Sequence, residues 1–186
     1  KLAETSTAQP LIFAVQSATT AALADYGIVP TSVLGHSVGE VAAAEASGAL
    51  SMADAVSVIY HRSEHQERAR GLGLMAVAAT VEDTISELLE EWSLSGTAIA
   101  AVNSPSSVTI SGPADEIRAF LKRARSKRIA ARQLDLDYPF HSALLAPIER
   151  PLVRALARLA PRDGQIPFIS TVTGAVIDGE TLDAQY

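Results

Sequence analysis

The sequence predicts an α/β fold in two parts, a larger body built on a parallel sheet and a smaller βαββαβ unit inserted into it. Three observations predict it. A serine flanked by glycines stands where a short apolar run becomes a run of small residues, in "VLGHSVGEVAAA", Val33 to Ala44. From Leu74 to Leu136 the rhythm changes, and the segments read strand, helix, strand, strand, helix, strand, which is the ferredoxin-like order. A second helix-and-strand pattern then resumes near Tyr138. The boundaries that follow are residues 1–73 with 137–186 for the body and 74–136 for the insert.

Each element has its own signals. "STAQPLIFAVQSATTAALADYG" reads as a helix, with Ser6 or Thr7 as cap, Pro10 in the first turn and Gly27 as the stop. Ser32 to Gly35 reads as a short buried strand, and Gly39 to Ala46 as a second helix that Gly48 ends. Ser51 with Asp54 is a capping signal that opens a longer helix, "MADAVSVIYHRSEHQERAR", closed by Gly71 and Gly73. In the insert, Leu74–Ala79 is a strand and "VEDTISELLEEW" an amphipathic helix. "TAIAAVN" and "SSVTIS" are strands joined near Asn103-Ser104-Pro105. "PADEIRAFLKRAR" is a helix with Pro113 in its first turn, and "IAARQLDLD" is the last strand. Beyond it, Ala143 to Leu159 is helical, staged by Pro147 and Pro151, and "PFISTVTGAVI" holds two short strands around Thr173-Gly174.

Bulk composition narrows the function. The chain has 186 residues, 48% of them apolar, enough for a sizeable core and too many for disorder. A net charge of -6 argues against nucleic acid as the main partner. The one basic cluster, Lys122 to Arg132, reads as the solvated end of a helix. With no cysteine, disulfides, zinc-thiolate sites and thiol chemistry are excluded. No apolar run reaches the ~18 residues of a membrane span, and no signal segment opens the chain, so a cytoplasmic location is expected. Both ends read as cuts in a longer chain. No internal repeat and no low-complexity segment is evident.

Gly-x-Ser-x-Gly, here Gly35-His36-Ser37-Val38-Gly39, is the nucleophile-elbow pattern of α/β-hydrolase-like folds. Its serine sits on a strained strand-to-helix turn, glycines being needed where side chains would meet neighbouring backbone. The helix that follows aims its first amides at the site, so the Val38 N–H is a candidate oxyanion donor. The alternative is a tight turn that happens to hold a serine. His36, next to it, is open to a packing or site-lining role as much as to a catalytic one.

A serine nucleophile needs a base in reach. His61 and His65 lie on the long helix among charged residues, and a solvated face accounts for them. His36 is too near Ser37 in sequence to curl back. His141, in "LDYPFHS" after the last strand of the insert, is the remaining candidate. Arg62 falls at helical spacing from Ala55, Val58 and Ile59, on the apolar stripe. A guanidinium there needs a carboxylate. It is an internal ion pair or snorkelling side chain, or it is a bidentate clamp for a substrate carboxylate.

Taken together, "GHSVGE", "HRSEHQ", "VNSPSSVTISG" and "YPFHS", in this order and spacing, make the chain resemble the malonyl-CoA:acyl-carrier-protein transacylase family. The resemblance is greatest to acyltransferase domains of modular polyketide synthases and covers nearly the whole chain. It implies that Ser37 attacks an acyl-CoA thioester and His141 moves the proton. An acyl-serine ester would form and pass to a phosphopantetheine thiol on an acyl carrier protein, with ping-pong kinetics. It implies that Arg62 pairs with the free carboxylate of a malonyl-type unit, that the Val38 amide is half of the oxyanion hole, and that His36, Gln66, Asn103, Tyr138 and Phe140 lie at the substrate. No resident cofactor or metal is implied. The partners implied are acyl-CoA, the carrier protein and neighbouring synthase domains, with no membrane. The family's Gly-Gln-Gly segment, which supplies the other oxyanion donor, and a later asparagine that orients the histidine are not in this sequence.

In related domains a four-residue motif ending at the histidine correlates with the acyl unit. Tyr138-Pro139-Phe140-His141 resembles neither the methylmalonyl form nor the malonyl form. Phe140 would fill the space of an α-methyl group and Val38 is branched, which favours malonyl; Tyr138 pulls the other way. Two other readings share the elbow: an esterase or thioesterase, and an inactive acyltransferase serving as a docking platform.

Overall fold

The computed structural model describes residues 3–186. In chain order the elements are α1 (Thr5–Asp25), β1 (Val33–Leu34), α2 (Gly39–Ser47), α3 (Met52–Glu67), β2 (Leu74–Ala78), α4 (Glu82–Glu91), β3 (Ala98–Ser104), β4 (Ser107–Gly112), α5 (Ala114–Ser126), β5 (Ala131–Gln133), α6 (Ala146–Ala155), β6 (Phe168–Ile169) and β7 (Val176–Ile177). Short 3-10 turns stand at Ala143–Leu145 and Gly179–Thr181. Among the described residues no helix is long and apolar enough to cross a membrane. The chain divides into two compact units, one of the residues up to Glu67 with Arg150–Tyr186, the other Arg68–Glu149.

In the first unit, α1, α2 and α3 pack around one core. Phe13 of α1, Ala42 and Ala44 of α2, Ala55 and Ile59 of α3 and Phe168 of β6 are all buried in it. Along α2, Val41, Ala42, Ala43 and Ala44 are all buried, so the helix is enclosed on nearly every side. Small side chains let its neighbours approach that closely. Gly48 ends α2 in the left-handed region (φ 84), and the carbonyl of Ser47 then takes the Gln165 N–H at 2.7 Å. Ser51 caps α3 as its spacing with Asp54 predicts: the Asp54 N–H donates to Ser51 Oγ (3.1 Å) and Ser51 Oγ to the Asp54 carboxylate (2.6 Å).

Three expectations are corrected here. Among the described residues the parallel sheet is reduced to one pair, Val33–Leu34 beside Phe168–Ile169, and β7 lies antiparallel to β6. The short link between β6 and β7 permits only a hairpin. β1 is not buried, since Leu34 is 63% exposed at the outer strand of the order β1-β6-β7. Neither Ser6 nor Thr7 caps α1. The cap is Glu4, two residues before Ser6, so Pro10 falls in the second turn; the Ser6 N–H donates to the Glu67 carboxylate instead (3.2 Å).

The second unit is a four-stranded antiparallel sheet in the order β3-β4-β2-β5. α4 and α5 cover one face. Ile85 of α4 and Ile117, Phe120 and Ala124 of α5 are buried with Ala76 and Ala78 of β2 and Val108 and Ile110 of β4. Alternate residues of the strands enter this core, as period-two patterning requires. The unit extends beyond the expected 74–136 because its two flanks pair with each other. The Gly71 N–H donates to the Asp137 carbonyl (2.8 Å), and the Arg70 guanidinium lies 5.9 Å over the Tyr138 ring. Gly73 is pressed against the Gly112 carbonyl, Pro139 and Leu144, with no room for a Cβ.

Candidate active site

Ser37 occupies the turn between β1 and α2 with φ 54, a left-handed conformation that costs a non-glycine residue about 1–2 kcal/mol. The chain doubles back so sharply that a Cβ on Gly35 would lie 2.1 Å from the carbonyl carbon of Gly39 and 2.3 Å from the Glu40 nitrogen. Position 35 therefore admits glycine alone. Gly39 differs from expectation: a Cβ there would make an ordinary 3.5 Å contact with the Gln16 side chain, so its backbone is not crowded. The Gly39, Glu40 and Val41 amides bond back to His36, Ser37 and Val38 carbonyls. Those bonds form the first turn of α2 and leave the Val38 N–H outside the pattern, at the helix N-cap.

Arg62 approaches from α3. Its Nη2 donates to Ser37 Oγ at 3.2 Å, and its Nη1 donates to Gln9 Oε1. Gln9, buried on α1, donates in turn to Gln66 Oε1 at 2.7 Å. Two amide side chains from two helices thus fix the guanidinium plane beside the serine hydroxyl. Burial lowers the Arg62 pKa from its ordinary value to about 10, against a smaller opposite pull from the Glu40 carboxylate. At neutral pH it remains a cation, half out of water.

Glu40, one turn into α2 from Ser37, ties the elbow to the loop after β6. Its Oε1 accepts the Thr171 N–H (2.7 Å) and hydroxyl (2.6 Å), and both its oxygens accept from the Tyr186 hydroxyl at 3.2 Å. Thr171 Oγ1 also lies 3.1 Å from the Gly35 carbonyl. Burial is the main cause that pushes the Tyr186 phenol up, so it stays a donor.

The predicted residues divide between the units. Ser37, Val38, Arg62 and Gln66 are brought together in the first, and His36 stands exposed beside them. His141 belongs to the second unit and also holds a left-handed backbone, φ 58. Ser142 fixes the turn after it by donating to the Pro139 carbonyl (2.8 Å) and accepting the Leu144 N–H (3.4 Å). Tyr138 is 2% exposed and stacks on Phe140, ring centres 5.0 Å apart and planes 10° from parallel. Asn103 spans the β3–β4 hairpin to Thr109 Oγ1 (2.8 Å). His65 turns inward, with Nδ1 2.7 Å from the His61 carbonyl. No cluster of metal-ligating side chains occurs among the described residues.

Gln9 and Glu40 were not singled out by sequence. Gln9 shares a buried stripe with Thr5 and Phe13 at four-residue spacing, which marks it as a polar group needing an internal partner. Glu40 stands within the elbow motif, but its partners lie more than 100 residues away.

Comparison with known proteins gives the family. The family model for the acyl transferase domain matches residues 1–186. Polyketide synthase GfsE of Streptomyces halstedii is 40% identical over 179 residues, 96% of this chain and 5% of that protein. Erythronolide synthase EryA2 of Saccharopolyspora erythraea is 37% identical over 178 residues, again 96% and 5%. The chain thus spans about a twentieth of the length of these relatives. Among solved structures, the acyltransferase domain from module 8 of the salinomycin polyketide synthase superposes with a TM-score of 0.96 at 33% identity, over 100% of this chain and 44% of that one. Malonyl CoA-acyl carrier protein transacylase from Burkholderia pseudomallei gives 0.88 at 32%, over 99% and 65%. With its strained serine, its buried arginine and a family match along its whole length, the chain belongs to the acyl transferase domain family.

Proposed function

We propose that the chain moves a malonyl-type acyl unit from coenzyme A to Ser37 and then to the phosphopantetheine thiol of an acyl carrier protein, within a polyketide synthase. The observation that carries this is the Arg62 guanidinium held 3.2 Å from Ser37 Oγ. A simple esterase has no use for a fixed cation beside its nucleophile. In a malonyl-serine ester the free carboxylate carbon lies three bonds from Oγ, within reach of that cation. Burial has stripped Arg62 of part of its hydration, and an incoming carboxylate restores a charged partner.

The steps balance as follows. Ser37 Oγ attacks the thioester carbonyl as His141 takes its proton, and the Val38 N–H faces the oxyanion. The intermediate collapses, the thiolate of coenzyme A leaves with the proton from His141, and an acyl-serine ester remains. The carrier thiol then gives His141 its proton and attacks the ester; Ser37 leaves and recovers a proton. Two half-reactions on one nucleophile make the kinetics ping-pong. No resident cofactor enters. The first unit is read as an α/β-hydrolase-like body and the second as a ferredoxin-like insert, whose strand order supports that reading. Phe140 is half-buried and available to a substrate, whereas Tyr138 backs it. Phe140 thus favours malonyl over methylmalonyl by about 1–3 kcal/mol. A cytoplasmic setting, with acyl-CoA, a carrier protein and neighbouring synthase domains as partners, completes the proposal.

Intact-mass measurement after mixing the protein with malonyl-, methylmalonyl- and acetyl-CoA tests it. The wild type is expected to acquire a malonyl adduct, and Ser37→Ala none. Arg62→Ala should lose malonyl labelling by at least about tenfold while acetyl labelling rises. A labelled Ser37→Ala protein rejects the nucleophile; equal loss of both acyl groups in Arg62→Ala makes the arginine structural.

A further inference from the structure

Seven of the chain's 15 lysines and arginines lie between Arg118 and Arg132, in a stretch without Asp or Glu, although the net charge is -6. The fold gives this run a shape that a solvated helix end lacks. Arg123 and Lys127 turn onto the end of α4, where Arg123 donates to the Trp92 carbonyl (3.0 Å) and Lys127 pairs with Glu91 (2.8 Å). Arg125, Arg128 and Arg132 instead line one groove of about 590 Å³, floored by Leu121 and Ile129. All three arginines are exposed.

One wall of the groove is a strand edge. Among the described residues β5 pairs with β2 alone and ends the sheet order. The Ala79 N–H donates to the Ala130 carbonyl (2.8 Å) and the Leu134 N–H to the Met75 carbonyl (2.9 Å). Antiparallel alternation therefore turns the backbone groups of Ala131 and Gln133 away from β2, toward the open side. At the other wall α5 ends with the Ile129 N–H on the Ala124 carbonyl (2.9 Å) and the Arg128 N–H on the Arg125 carbonyl (3.2 Å). That closure places Arg128 at φ 60, where glycine is the least strained choice. An arginine there keeps a cation on the rim against its own backbone preference.

We propose that this groove binds an extended, acidic segment of another polypeptide, which adds as a strand to the open edge of β5. Period-two side chains suit both faces of an added strand: on the α5 side apolar ones reach Leu121 and Ile129 and acidic ones meet Arg125 and Arg128 at the rim, and on the other side acidic ones meet Arg132. Charge complementarity selects the acidic partner on a protein that is otherwise acidic. The proposal is independent of the acyl-transfer reading, since every residue it uses lies in the α5–β5 region.

The test is fluorescence anisotropy with a labelled eight-residue peptide of alternating Glu and Val, beside an alternating Lys and Val control. Saturable binding of the acidic peptide alone is expected, with slowed amide exchange at Ala131 and Gln133. Arg125→Glu, Arg128→Glu and Arg132→Glu together should weaken it by at least about tenfold. Gln133→Pro keeps all three cations but removes an outward N–H at a position where an edge strand tolerates proline, and should weaken it at least about fivefold. If Gln133→Pro melts early, Ala131→Pro replaces it. Absence of saturable binding, or binding unchanged by the triple reversal, overturns the proposal. So does full binding by the proline variant, or displacement of the peptide by equimolar adenosine 3′,5′-bisphosphate, which would make the groove an anion site without strand addition.

Discussion

At the scale of the residue, the elbow distinguishes two glycines that look equivalent in the motif. A Cβ at position 35 meets backbone at 2.1 Å, whereas at position 39 it meets a side chain at 3.5 Å. Gly35→Ala is expected to lower stability by about 3–5 kcal/mol, because backbone cannot yield as a side-chain tip does. Gly39→Ala is expected to be neutral or to stabilise α2 by up to about 1 kcal/mol through helix propensity. Chemical denaturation of both variants checks the contrast, and equal losses would show that the turn, not position 35, is the crowded element. The elbow motif gives both glycines one reason; the fold gives each its own.

At the scale of the element, caps and stops were legible wherever the partner is local. Ser51 and Asp54 lie on adjacent turns, so the signal and the bond are the same few residues. Ser51→Ala should cost α3 about 1 kcal/mol, a fall of about 3 °C in melting temperature for a chain of this size. An unchanged melt would mean that the Ser51 bonds are redundant with packing. The start of α1 was misread for the complementary reason. Its amides find a partner in Glu67, a residue 61 positions away, and no local pattern announces that. The two-residue strand β1 suffers the same way, since its exposure depends on which strands flank it.

At the scale of the whole molecule, the buried cation couples binding to stability. The Arg62 pKa in the fold, about 10, lies below its unfolded value. Its burial therefore penalises the fold through the neutral range, and the penalty shrinks as pH rises past about 10. A carboxylate seated on Arg62 offsets it. Malonate at about 100 times its dissociation constant should stabilise the wild type by about 2.7 kcal/mol and leave Arg62→Ala unshifted. Calorimetric titration should show affinity constant from neutral pH to about 9 and falling about tenfold per pH unit above 10. Affinity that holds at higher pH would place malonate elsewhere.

By itself the sequence determined the order of helices and strands, the elbow, the arginine on an apolar stripe and the family. All of these rest on contacts between near neighbours or on motifs of a few consecutive residues. The tertiary structure alone decided what holds the arginine and the elbow in place. Gln9 grips Arg62 across 53 positions and Glu40 reaches Thr171 across 131, and the sheet order that opens the β5 edge is likewise set by distant pairings. A side chain's partner is chosen by where the fold brings the chain back, and helical or strand periodicity carries no record of that return.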